Sequence, residues 1–149
     1  MPRAPRSCLP DGFFHVTARG VARTAIYRDD DDRRFFLHLA HRVMRVFGWD
    51  FYALCLMNNH YHLVIETPRE LLSLGMHRLN GTYALAFNRK YGRWGHLFGE
   101  RFAARTIHSE DYLVAVCAYV VQNPVRADLC DAPAEWPWSR SRFGYDVPN

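Results

Sequence analysis

The chain has 149 residues, 49% hydrophobic and 23% charged, which suits one globular domain with a sizeable core. Its formal net charge is +4, and Lys90 is the only lysine among 19 basic residues. No apolar run approaches the roughly 20 residues that cross a bilayer, which excludes a membrane-spanning reading. Arginine pairs with phosphate in two-point fashion and stacks on bases, so a basic, arginine-rich chain with 15% aromatics suits nucleic acid. GC-rich coding favours arginine too, so composition alone does not decide. The opening MPRAPRSCLPDG carries no apolar segment of a signal peptide. Cys8, Cys55, Cys117 and Cys130 lack CxxC spacing and read as reduced thiols of a cytoplasmic protein.

In chain order, residues 13–19 (FFHVTAR) alternate as a strand, with Phe14, Val16 and Ala18 on one side and His15, Thr17 and Arg19 on the other. The acidic run Asp29 to Asp32 reads as a helix start rather than a cation cluster. Phe36, Leu39, Val43 and Phe47 recur behind it at helical spacing, and Gly48 stops the helix. Residues 50–57 and 60–66 form two strands around an Asn-Asn turn whose residues tolerate positive φ. Pro68 ends the second strand, and a helix is predicted from Leu71 to about Lys90, burying Leu72, Met76, Leu79, Tyr83 and Phe87. The glycine-punctuated YGRWGHLFGERFAARTIH gives turns and one or two strands.

Ser109 caps a last helix, with Glu110 and Asp111 in its first turn. This segment is rich in valine, yet its length and cap favour helix. Pro124 should end or kink it at Asn123. Beyond Pro133 the tail reads as irregular. The order predicts an α+β fold, an antiparallel sheet with helices, as a single domain over 1–149 with its core in about 10–130.

Within that frame His60 and His62 stand at i and i+2 of one strand and share a face, while Tyr61, Leu63 and Ile65 share the other. Taken alone, the pair fits either a metal site or a half-exposed strand. Tyr112, Val116, Tyr119 and Asn123 form one stripe of the last helix, which puts Tyr119 one turn from Asn123. Taken alone, that stripe is better explained by a core tyrosine with a satisfied hydroxyl.

The segments HVTARG, DDRRFFLHL, YALCLMNNHYHLVIETP, RLNGTYALAFNRKYGRWGHLFGERF and YVVQNPVRADL occur in that order. Together they resemble the single-tyrosine HUH transposases, and more closely the REP-associated tyrosine transposases, relatives of the small insertion-sequence transposases. The resemblance spans about residues 10–130. Tyr61 departs from it, being bulkier than the usual aliphatic between the histidines, and Gln122 stands beside Asn123 as a second amide.

The resemblance implies a ferredoxin-like, HUH-type sandwich that cleaves single-stranded DNA beside hairpins of palindromic repeats. Tyr119 would be the nucleophile, giving a 5′-phosphotyrosine and a free 3′-OH. His60, His62 and Asn123 would hold Mg or Mn, with Gln122 as the fallback ligand. The chemistry suits these residues. A phosphodiester repels nucleophiles, a divalent cation offsets that charge, and a mixed nitrogen and oxygen donor set suits Mn or Mg. A phenol of pKa about 10 attacks well only beside a cation. Cleavage through phosphotyrosine is reversible, unlike hydrolysis.

Arg19, Arg89, Lys90, Arg93, Arg101, Arg105 and Arg126 are candidates for a phosphate-binding rim, with His15 beside Arg19; each alone also fits a solvated surface. Trp94, Phe98 and Phe102 fit either base stacking or burial. Glu66 is a candidate for the leaving-group proton on proximity alone. The expected partner is single-stranded or hairpin DNA, with no membrane; monomer and homodimer both stay open. Two other readings are a domesticated hairpin-DNA-binding protein without cleavage and a relaxase or replication-initiator nickase. The short chain and the NPVRA context count against the second.

Overall fold

Side-chain alternation along three strands sets the architecture of the computed structural model, which describes residues 10–145. They are β1 (Phe13–Arg19), β2 (Asp50–Leu56) and β3 (His60–Glu66). β4 (Ala103–Thr106) and β5 (Ser139–Ser141) complete a five-stranded sheet in the order β4-β1-β3-β2-β5, every pair antiparallel. Phe14, Val16, Ala18, Leu54, Leu56, Tyr61, Leu63 and Ile65 point to one face and join the larger core. Phe13, Ala53, Cys55 and Val64 point to the other and join a smaller one.

Two helices cover the larger core. α1 (Asp30–Phe47) is capped by Asp29, whose carboxylate accepts from the Asp32 amide at 2.8 Å. It ends at Gly48 with φ 66, the left-handed geometry that glycine adopts at least cost. α2 (Arg69–Tyr91) crosses beside it, and a Cβ on Gly75 would come within 2.2 Å of the Trp49 ring. That close approach requires glycine inside a helix where it otherwise costs about 1 kcal/mol.

On the opposite face lies a single helix, α3 (Glu110–Arg126), with the Ser109 hydroxyl accepting from the Tyr112 amide at 3.1 Å. Leu113, Val116, Cys117 and Val120 pack on the smaller core. α3 rests on β2, β3 and β5. One helix on this face against two on the other opens space beside β1 and β4.

Three details differ from the sequence expectations. The tail is not irregular throughout: β5 pairs with β2, Cys55 opposite Ser139. The Asn-Asn turn uses no positive φ. It is held from outside instead: the Asn58 carbonyl accepts from the Ile26 amide at 3.0 Å and the Asn59 carbonyl from the Gly20 amide at 2.8 Å. α3 runs through Pro124 to Arg126. Proline deprives the Val120 carbonyl of its helical donor, and Asn123 Nδ2 supplies one at 3.2 Å. Cys55 and Cys117 are buried free thiols, pushed up to about 12 by that burial, and Cys130 is also free. Cys8 lies outside the described residues. No helix among the described residues is long and apolar enough to cross a membrane.

Candidate active site

The antiparallel register of β1 and β3 places Arg19 opposite His60 and Thr17 opposite His62. These four side chains share the α3 face with His15, so a cluster forms that no local spacing describes. His15 Nε2 lies 2.9 Å from His62 Nδ1, and the two rings stack with centroids 5.1 Å apart. The His60 and His62 rings are 5.2 Å apart, edge to face.

The hydrogen bonds around His60 fix which of its nitrogens is available. Asn59 Nδ2 donates to the Arg23 carbonyl at 3.3 Å, which turns Oδ1 toward His60. His60 Nδ1–H therefore donates to Asn59 Oδ1 at 2.7 Å and leaves Nε2 as a lone pair. The contact with His15 engages His62 Nδ1 and leaves Nε2 outside that bond, a lone pair in the tautomer in which Nδ1 donates to His15. Burial, aided by Arg105, lowers His15 to about 4; burial, aided by Arg19, lowers His60 to about 4. His62 falls to about 3, chiefly through burial and then through His15, His60, Arg126 and Arg19. All three imidazoles are thus neutral at pH 7, the form that coordinates a cation.

The cluster forms one wall of an open cavity of about 970 Å³. α3 forms another wall with Tyr112, Val116 and Tyr119. The Tyr119 ring is half exposed and lies 6.3 Å from the His62 ring and 6.4 Å from the His15 ring. Arg19, Arg23, Arg101 and Arg105 line the cavity against one carboxylate, Glu100, so its field is positive. Its rim holds Ala22 at φ 49 and Arg23 at φ 59, left-handed geometry that costs an L-residue roughly 1–2 kcal/mol each. The Gly20–Asn59 backbone bond and the Val21 amide bond to the Leu97 carbonyl, both 2.8 Å, hold that turn in place.

Asn123 is half-buried one helical turn beyond Tyr119 and does not line the cavity. Its Nδ2 serves Val120, and its Oδ1 accepts from Arg126 Nη2 at 2.8 Å. The same Nη2 donates to the Tyr119 carbonyl at 2.7 Å, and the guanidinium sits 3.8 Å from the Tyr119 ring centroid. Gln122 is also half-buried and outside the cavity lining. Among the described residues no three His, Cys, Asp or Glu side chains group to hold an ion by themselves.

The remaining candidates separate clearly. Arg19, Arg101 and Arg105 face the cavity, and Arg126 reaches Tyr119. Arg89 and Lys90 lie in the last turn of α2, outside the lining. Lys90 Nζ is engaged with Asp32 at 2.8 Å and Asp29 at 3.2 Å, and Arg93 donates to Asn88 Oδ1 at 2.7 Å. Glu66 closes the far end of β3, six residues from His60, and takes no part in the cavity. Trp94 is 91% exposed, whereas Phe98 and Phe102 pack against the larger core. Tyr61 is fully buried in that core, and its hydroxyl donates to Asn80 Oδ1 at 2.6 Å. The place of His15 beside His62, and of Glu100 and Tyr112 in the cavity, depends on strand register and helix placement, which only the assembled sheet reveals.

Comparison with known proteins agrees with this fold. The chain is similar in fold to a REP-associated tyrosine transposase solved bound to a REP hairpin, with a TM-score of 0.72 and 18% identity over 93% of this chain and 82% of the other. A Deinococcus radiodurans R1 protein proposed to be a transposase gives a TM-score of 0.54 and 17% identity, over 80% of this chain and 95% of its own. No curated protein matches the sequence. The family model for IS200-like transposases matches residues 10–123, which include the histidine pair, Tyr119 and Asn123, and the chain belongs to that family.

Proposed function

We propose that this transposase cleaves single-stranded DNA beside a hairpin and rejoins strands through a 5′-phosphotyrosine on Tyr119, with His60, His62 and Asn123 holding Mg or Mn. The observation that carries this reading is the Tyr119 ring, 6.3 Å from His62 across an open, arginine-lined cavity. Two neutral imidazoles facing one cavity suit a divalent ion, and the Asn123 amide oxygen, one turn from the nucleophile and bonded to Arg126 outside the cavity lining, would complete the set once released. Such an ion would offset the phosphate charge and act as a Lewis acid.

The chain's own residues do the rest. Arg19, Arg101 and Arg105 seat the DNA backbone. Asn59 fixes His60 in the ligand tautomer, and His15 engages His62 Nδ1 so that the ring is oriented with Nε2 outside that bond. Tyr119 Oη gives up its proton to solvent in the open cavity and attacks phosphorus. The bond from phosphorus to the 3′ oxygen breaks, and that oxygen leaves to take a proton. Attack by a 3′-OH on the phosphotyrosine reverses the step and joins strands. A hairpin substrate is supported by the similarly folded transposase bound to a REP hairpin.

The test is incubation of a labelled hairpin with a single-stranded flank and Mn²⁺, followed by denaturing electrophoresis. Wild-type protein should cut the flank and carry label. His60→Ala and Tyr119→Phe should bind the hairpin without cutting. Binding by the wild type with no cleavage in any divalent metal would instead support a hairpin-binding protein.

A further inference from the structure

Arg126 occupies the oxygen that a cation at the histidine pair would need. Its Nη2 donates to Asn123 Oδ1 at 2.8 Å and to the Tyr119 carbonyl at 2.7 Å, while its guanidinium covers the Tyr119 ring at 3.8 Å. The other half of the Asn123 amide is held as well, because Nδ2 replaces the N–H that Pro124 lacks. The amide therefore cannot flip to offer its oxygen elsewhere without leaving the Val120 carbonyl unpaired. Arg126 itself is exposed and makes no ion pair among the described residues, so a phosphate can reach it. Phosphate is the stronger partner, since a guanidinium binds it with two parallel charge-assisted bonds to a full negative charge, whereas Asn123 Oδ1, the Tyr119 carbonyl and the Tyr119 ring are all neutral.

We propose that Arg126 is a latch coupling DNA to the metal: it caps Asn123 in the free protein and releases that oxygen when a DNA phosphate draws the guanidinium away. This rests on the reading of His60, His62 and Asn123 as ligands. The latch keeps the metal site incomplete until substrate is seated, which guards a nucleophilic tyrosine against idle chemistry. Coupling of this kind is reciprocal: the factor by which DNA tightens metal binding equals the factor by which metal tightens DNA binding.

The test measures Mn²⁺ affinity from the electron paramagnetic resonance signal of the free ion. All proteins carry Tyr119→Phe so that the hairpin oligonucleotide stays intact. Without DNA, Arg126→Gln should bind Mn²⁺ about tenfold more tightly than the Arg126 protein, the factor expected for losing one charge-assisted hydrogen bond. The hairpin should tighten Mn²⁺ binding to the Arg126 protein by a similar factor and add little for Arg126→Gln. In an Asn123→Ala background the gain from Arg126→Gln should vanish. A gain that persists there reflects charge removal alone and overturns the latch, as does the absence of any gain. His60→Ala separates the two levels of the argument. If it binds Mn²⁺ as its parent does, the reading of the ligands fails and the latch with it. If it loses Mn²⁺ while Arg126→Gln changes nothing, the latch alone fails.

Discussion

Val16, Tyr61, Leu63 and Ile65 are at most 1% exposed on the side of the sheet that α1 and α2 cover. One residue along the same strands, His15, Thr17, Arg19, His60 and His62 line an open cavity on the side that α3 half covers. On the closed face the Tyr61 hydroxyl turns inward to Asn80. The open face leaves lone pairs and guanidinium groups toward solvent. Strand alternation thus separates the closed core from the open cavity within single strands, and an unequal number of helices on the two faces leaves that cavity uncovered.

Substitutions on the two faces should therefore fail in different assays. The largest effect is expected at His60→Ala, which should lower strand cleavage by more than about a hundredfold in a gel assay while barely moving the melting temperature. A parallel collapse in melting temperature would mean that the two faces are not separable. Phe36→Ala on the closed face removes a ring in contact with Tyr61 at 4.6 Å and Tyr83 at 5.3 Å. It should cost about 3–5 kcal/mol in urea unfolding, with DNA affinity unchanged for the protein that remains folded.

A finer contrast concerns the arginines. Arg101→Ala and Arg105→Ala should each flatten the dependence of log affinity on log salt by about one unit, with stability unchanged. Lys90→Ala should do the reverse, weakening the fold through its Asp32 contact and leaving the salt slope alone. A last contrast is a pH dependence of stability. His15, His60 and His62 titrate near 4, 4 and 3 when folded, below the ordinary histidine value of 6.5. Between those values the unfolded chain binds more protons, so stability is full above about pH 6.5 and falls as pH drops through 4. His15→Asn should reduce that loss in acid unfolding curves.

Much of this comparison is legible in the sequence because it rests on periodicity. The two-residue spacing of His60 and His62, the alternation of residues 13–19 and the stripe from Tyr112 to Asn123 are local patterns that the folded chain preserves. Strand β5 is not legible, because three polar residues, Ser139 to Ser141, carry no alternation and pair only where β2 offers an edge. Proline chemistry argues for a helix end at Asn123; the asparagine's own amide supplies the missing donor and carries the helix to Arg126. His15 joins the site through the pairing of strands more than forty residues apart, a distance at which spacing carries no information.

The central claim is that Tyr119 takes the DNA. Tyr112 is the informative rival, since it lines the same cavity and is 48% exposed, but only Tyr119 places its ring within 6.4 Å of both His15 and His62. The direct measurement is peptide mass spectrometry of the covalent product formed with Mn²⁺ and a hairpin oligonucleotide, with fragmentation to locate the nucleotide. The account predicts a phosphodiester on Tyr119 and no adduct from Tyr119→Phe. A nucleotide on Tyr112, or cleavage by the wild type with no adduct at any tyrosine, would contradict it.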